Sequence, residues 1–123
     1  MRTILLCLIL LICTSCNKQK ELAKIEIKNK NYDFGEISMS DSLTFVFSIK
    51  NISETSLKIS KVGTSCGCTT TEYTKEPVKI GETATIDMLF KPNEIGYVEK
   101  SIVVESNTDP PFNVFYIKGI VVE

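Results

Sequence analysis

Cys66 and Cys68 are separated only by Gly67, within the run Ser65-Cys66-Gly67-Cys68-Thr69. Two thiols at this spacing have three open fates. The first is a disulfide. α-Carbons two apart on a regular strand lie near ~7 Å, the upper limit for bridging, so the chain must bend. Gly67 is the residue type that supplies a bend without steric cost. The ring would close almost no loop and restrain the unfolded chain little, and a strained bridge is readily reduced, as a redox pair must be. The second fate is a soft metal ion. Two thiolates can hold Cu(I) in a near-linear site, and a third ligand would have to come from Met39, Met88, a carboxylate or another chain. The third fate is structural, with the cysteines acting as small buried hydrophobes beside a strand. Lys61, Lys75 and Lys79 are the cations that could lower a thiol pKa by proximity.

Other catalytic chemistry has little to work with. The chain has no histidine, which removes Ser-His-Asp and Cys-His machinery and His-bearing zinc sites. No glycine-rich phosphate loop is present, and no EF-hand spacing suggests calcium. The acidic groups Asp33, Glu36 and Asp41, and Glu94 with Glu99, read as solvated surface and not as a glycosidase carboxylate pair. Thr69-Thr70-Thr71 reads as β-branched strand. Tyr32, Phe34, Tyr97, Phe112 and Tyr116 read mainly as core and sheet packing, with a binding surface as the alternative. The expected protein is non-enzymatic, with no small-molecule substrate.

The first residues read as an address. Arg2 precedes the apolar run Ile4–Ile12, which is too short to span a bilayer, since spanning takes ~20 residues. Cys13-Thr14-Ser15-Cys16 resembles the lipobox of bacterial lipoproteins, although Cys13 stands where leucine is usual. The resemblance implies a signal peptide over 1–15, cleavage before Cys16, lipidation of Cys16 and a tether over 16–23. Several acyl chains hold a protein on a membrane durably. Removing Arg2 from the 14 basic side chains leaves 13 against 15 acidic. Without a basic stripe to offset phosphate charge, no nucleic-acid partner is expected.

From residue 24 to 123 the pattern is that of strands. Apolar residues alternate with polar ones at Ile25/Ile27, Leu43/Phe45/Phe47/Ile49, Leu57/Ile59, Ala84/Ile86/Met88/Phe90, Val98/Ile102/Val104 and Phe115/Ile117/Val121. Turn residues separate the runs at Asn51–Glu54, Ile80–Glu82, Lys91–Gly96 and Ser106–Pro111, the last with two adjacent prolines that cannot donate to a ladder. About a hundred residues so divided predict an all-β, antiparallel β-sandwich of roughly seven to eight strands.

The segments Asp33-Phe34-Gly35-Glu36-Ile37, Phe45–Asn51, Leu57–Ile59, Ser65–Thr69, Gly81-Glu82, Phe90-Lys91-Pro92, Gly96–Asn107 and Ile117-Lys118-Gly119 occur in that order. Together they resemble a Bacteroidetes-type family of secreted and lipid-anchored proteins of unknown function, similar to the immunoglobulin-like modules of Hydin and major sperm protein. Ser53 stands where that family usually has glycine, and Ile80 where it usually has proline. The resemblance implies an immunoglobulin-like domain over 24–123. The expectation is an envelope interaction module, anchored through its lipid and facing the periplasm from the outer membrane, with another envelope protein as partner. The alternative is a thiol protein using Cys66 and Cys68 for redox exchange or Cu(I) binding.

Overall fold

The computed structural model describes residues 20–67 and 69–123. The signal over 1–15, the lipidation site Cys16 and the second thiol Cys68 lie outside the described residues. The described chain forms eight strands: β1 (Ile25–Glu26), β2 (Asn31–Ser38), β3 (Leu43–Asn51), β4 (Ile59–Thr64), β5 (Thr69–Tyr73), β6 (Thr83–Phe90), β7 (Gly96–Ser106) and β8 (Phe112–Val122). They make two four-stranded sheets, ordered β1-β3-β6-β5 and β2-β8-β7-β4. Alternation alone dictates this packing. Phe45, Phe47 and Ile49 from β3 and Ala84, Ile86, Met88 and Phe90 from β6 are buried. They face Val98, Ile102 and Val104 of β7 and Phe115, Ile117 and Val121 of β8. Burying each large side chain stabilises by about 1.5–3 kcal/mol. A run of ring contacts joins the layers, from Tyr32 stacked on Phe45 at 5.1 Å, through Phe47 at 5.5 Å, to Phe115 at 4.7 Å.

Two features depart from simple alternation. The chain at Ile25–Ile27 does not continue as one strand. It pairs with β3 at only two positions, Ile25 with Asn51 and Glu26 with Lys50, and then crosses to the other sheet. There β2 runs parallel to β8, whereas every other strand pairing is antiparallel. The segment Asp33–Glu36, read from sequence as an acidic surface, is a register irregularity within β2. Asp33 Oδ1 accepts the Gly35 amide at 2.9 Å, and Gly35 has φ +68°. This irregularity turns Phe34 inward onto the core, 5.6 Å from the ring of Phe90.

The sandwich has two distinct ends. One gathers the Asn51–Leu57, Val78–Glu82 and Ser106–Pro111 turns and the start of the described chain. Ala23 is already buried there and donates its amide to the Asn107 carbonyl at 2.8 Å. Asn51 holds this end together. It is fully buried, its Nδ2 donates to the carbonyls of Thr55 and Val78, and its Oδ1 accepts from the Ser53 amide and hydroxyl. The opposite end carries the loop Met39–Ser42, the segment Lys91–Ile95 and the connection from β4 to β5 that contains Cys66.

Candidate functional site

The Cys66 turn is where the chain passes from one sheet to the other. β4 ends at Thr64, opposite Ile102 of β7, and β5 begins at Thr69, opposite Phe90 of β6. The crossing is pinned on both sides. Ser65 donates its amide to the Ser101 carbonyl at 3.0 Å, and Ser65 Oγ accepts the Ser101 amide at 3.0 Å. The Thr64 hydroxyl donates to the Cys66 carbonyl at 3.1 Å, and the Thr69 amide donates to the same oxygen at 3.3 Å. That last bond closes a four-residue turn with Gly67 at its second position. Gly67 does not have positive φ, and an added Cβ there would meet nothing within 4 Å. Steric room therefore does not require glycine at this turn.

Cys66 is half-buried and disulfide-bonded, its partner cysteine lying outside the described residues. The groups that sequence placed as possible helpers are elsewhere. Met88 is in the core. Met39 lies on the β2–β3 loop, on the far side of β6 and β3 from the Cys66 turn. Lys75 sits over the ring of Tyr73 at 3.7 Å. Lys79 belongs to the opposite end, where its amide donates to Glu82 Oε2, about 25 Å away by strand length. Lys61 lies along β4 in register with Glu105. Among the described residues no three His, Cys, Asp or Glu side chains converge as a metal site would need.

A second site was not read from the sequence. Because β1 pairs with β3 at only two positions, most of the outer edge of β3 has no strand beside it among the described residues. The direction of its backbone groups is fixed by two bonds. The Asn51 amide donates towards β6, to the Glu82 carbonyl, and the Ile52 amide donates the other way, to the Lys24 carbonyl. Successive residues alternate, so the N–H and C=O of Thr44, Val46 and Ser48 face the open side. The groove along this edge has a volume of about 580 Å³. Lys28, Asn31 and Tyr32 line one wall, and Val46, Ser48 and Lys50 line the other.

Edge strands commonly carry a lysine, a proline, a bulge or an outward charge that blocks pairing. The edges β2 and β4 have register irregularities, and β5 exposes Glu72. Thr44–Ser48 has none of these, and its central Val46 is 55% exposed. The signal in the sequence was Val46 itself, an apolar residue at an outward position of a clean alternation.

The aromatic residues divide. Phe34 packs on the core and Tyr32 on Phe45. Packing does not account for Tyr97, Phe112 and Tyr116, which are exposed. Tyr97 donates its hydroxyl to Glu99 Oε2 at 2.8 Å, and this bond raises its pKa above the usual tyrosine value. Asp33 caps a turn and Glu99 accepts from Tyr97, so each acidic group has a local role.

Two four-stranded sheets, a first strand split between them and a β4–β5 crossing make this an immunoglobulin-like sandwich. The chain belongs to the family described as protein of unknown function (DUF1573), which matches residues 25–121. Among solved structures it is similar to a protein of unknown function from Porphyromonas gingivalis W83, with TM-score 0.72 and 15% identity over 82% of this chain and 48% of that one. The chain thus spans about half the length of that protein. It is also similar to PapD-like domain 7 of human CEP192, with TM-score 0.68 and 14% identity over 89% of this chain and 92% of that one. A third neighbour is the secreted serine protease VesC of Vibrio cholerae, with TM-score 0.59 and 9% identity over 83% of this chain and 23% of that one. These likenesses concern the fold. No curated protein matches the sequence.

Proposed function

We propose that this protein is a non-enzymatic interaction module of the bacterial cell envelope, lipid-anchored at Cys16 and facing the periplasm. It holds another envelope protein by taking an extended segment of it along β3. The observation that carries this reading is the open stretch Thr44–Ser48, whose outward backbone groups, among the described residues, have no neighbouring strand and no blocking device. An added strand would satisfy those groups, its main chain supplying affinity and its side chains specificity. The mixed surface charge offers nothing to nucleic acid. The test is a photo-crosslinking residue at Val46 in the full chain, expressed in cells, with a second at Ile95 on the Cys66 end. A reproducible adduct at Val46 that disappears in Ser48→Pro supports the reading, because proline removes an N–H on the open side only. Equal adducts at both positions, or none at Val46, overturn it.

The thiol reading stands second, on the observation that Cys66 is oxidised within a tight turn. Here Cys68 is the proposed partner, and the short bridge exchanges with small thiols or, once reduced, binds Cu(I). Alkylation of the purified protein without reductant, followed by intact mass, separates the cases. A bridge that glutathione opens readily, or one copper per reduced pair, supports this reading. A bridge that neither exchanges nor binds copper removes it.

A further inference from the structure

The domain's attachment end carries exposed apolar tips. Leu22 precedes the buried Ala23 and is 42% exposed; Ile52, Ile80 and Phe112 are 48%, 56% and 53% exposed. They come from four separate segments, yet the fold brings all four to one end. The Gly81 amide bonds to the Asn51 carbonyl, which places the Ile80 turn beside Ile52. Leu22 shares a surface groove with Pro110, two residues before Phe112. None of these side chains is needed by the core, and a turn has no intrinsic preference for isoleucine at its tip.

What they face follows from where the chain leaves this end. Residues 1–19, with the apolar run Ile4–Ile12 and Cys16, join the domain at Lys20. From Cys16 to Ala23 is seven residues, at most about 25 Å fully extended. The opposite end lies farther off by the length of β7, Gly96–Ser106, or roughly 35 Å more.

We propose that this end rests on the lipid surface, with Leu22, Ile52, Ile80 and Phe112 in the headgroup layer and the strands standing away from the membrane. The inference depends on the lipid-anchor reading above and adds an orientation to it. Charge does not drive the contact, because Lys24, Lys58 and Lys79 at this end are balanced by Glu54, Glu82 and Asp109. The apolar tips do, in the manner of shallow interfacial insertion. Standing upright leaves the open edge of β3 accessible along its length and holds the Cys66 turn at the far end.

The chain contains no tryptophan, so single Trp substitutions report position without background. The full-length lipoprotein, purified from membranes, is reconstituted into phosphatidylethanolamine/phosphatidylglycerol vesicles, with and without brominated acyl chains. Ile52→Trp and Ile80→Trp are expected to be quenched several-fold more than Ile95→Trp and to emit further to the blue; unchanged far-UV circular dichroism confirms folding at each exposed position. Equal, weak quenching at both ends of protein that co-floats with vesicles overturns the orientation and leaves the anchor standing. Protein that does not co-float overturns both. A repeat with vesicles of zwitterionic lipid alone is expected to give the same quenching, and its loss there overturns the apolar basis of the contact.

Discussion

The ring of Phe34 lies against the α-carbon of Gly119, so close that a Cβ added to Gly119 would stand 2.2 Å from Phe34 Cε2. Gly119 does not have positive φ, so its role is to leave space for the ring. Phe34 cannot simply yield, because it is lodged against Phe90 and the core. Gly119→Ala is therefore expected to destabilise the domain by about 1–3 kcal/mol, the usual cost of overpacking. Phe34→Leu in the Gly119→Ala background should recover part of that loss, and urea unfolding of the two single variants and the double variant measures the coupling. Additive losses would show that the two sites are independent.

Asn51 gives the second prediction. Asn51→Ala removes four hydrogen bonds from this end, two donated to the Thr55 and Val78 carbonyls and two accepted from Ser53, and each such bond contributes about 0.5–1.5 kcal/mol. The expected loss is roughly 3 kcal/mol, read from denaturant midpoints. Ser53, which stands where the family usually has glycine, accepts the Lys24 amide at 3.0 Å and so ties the first strand to this turn. Ser53→Gly is expected to cost no more than about 1 kcal/mol and to speed hydrogen exchange at Lys24 more than in the core.

These two sites also mark how far the sequence could be read. β3 and β6 were legible because each has one wet face and one dry face, as at Phe45/Val46/Phe47. The split of the first strand was not, since Ile25 and Ile27 alternate identically whether the chain stays in one sheet or leaves it. Phe34 was obscured by the irregularity at Gly35, which breaks the period of two. Reading the aromatics mainly as packing did not separate the exposed Tyr97 and Phe112 from the packed Phe34, because β7 and β8 carry apolar residues on both faces and alternation then loses its contrast. The two cysteines were evident from spacing. The position of Cys66 at the crossing between sheets depends on pairings far away in sequence, such as Thr64 with Ile102.

Tyr97 supplies a pH dependence. Its pKa is raised first by the hydrogen bond to Glu99, then by desolvation and by the charges of Glu99 and Asp33. A group whose folded pKa exceeds its unfolded value adds stability at pH values below the unfolded pKa. That increment disappears as pH rises past the ordinary tyrosine value of 10.0 towards the raised one. Glu99→Gln removes the negative charge and should bring the Tyr97 midpoint down towards the ordinary value, as followed by NMR of the ring. The variant should differ from the parent in pH response only on the alkaline side for this group; an unchanged midpoint would sink the assignment.

The disulfide at Cys66 can be weighed by the loop it closes. If Cys68 is its partner, the ring is so small that opening it costs about 1–2 kcal/mol on the chain-entropy account. A partner among Cys7, Cys13 and Cys16 would close a far longer loop, and the loss would be nearer about 4 kcal/mol. Cys66→Ser, compared with the parent by urea unfolding without reductant, is expected to show the smaller value. The same small difference should appear when the parent is measured with and without a phosphine reductant.

Val46 separates stability from binding. Its side chain is exposed on the outer face of β3, and its N–H and C=O face the open side rather than β6. Val46→Lys removes no core contact, so stability should stay within about 0.5 kcal/mol of the parent. A lysine on an unpaired strand is also the device by which sheets resist edge-to-edge association. The substitution is therefore expected to abolish capture of the envelope partner through β3, as read by loss of adduct from a photo-crosslinking residue at the neighbouring Thr44. Val46→Thr, which keeps strand propensity and adds no charge, should retain it. Retention of the adduct in Val46→Lys would mean that the partner is held by another surface, because a strand lying along β3 could not avoid that side chain's charge and reach.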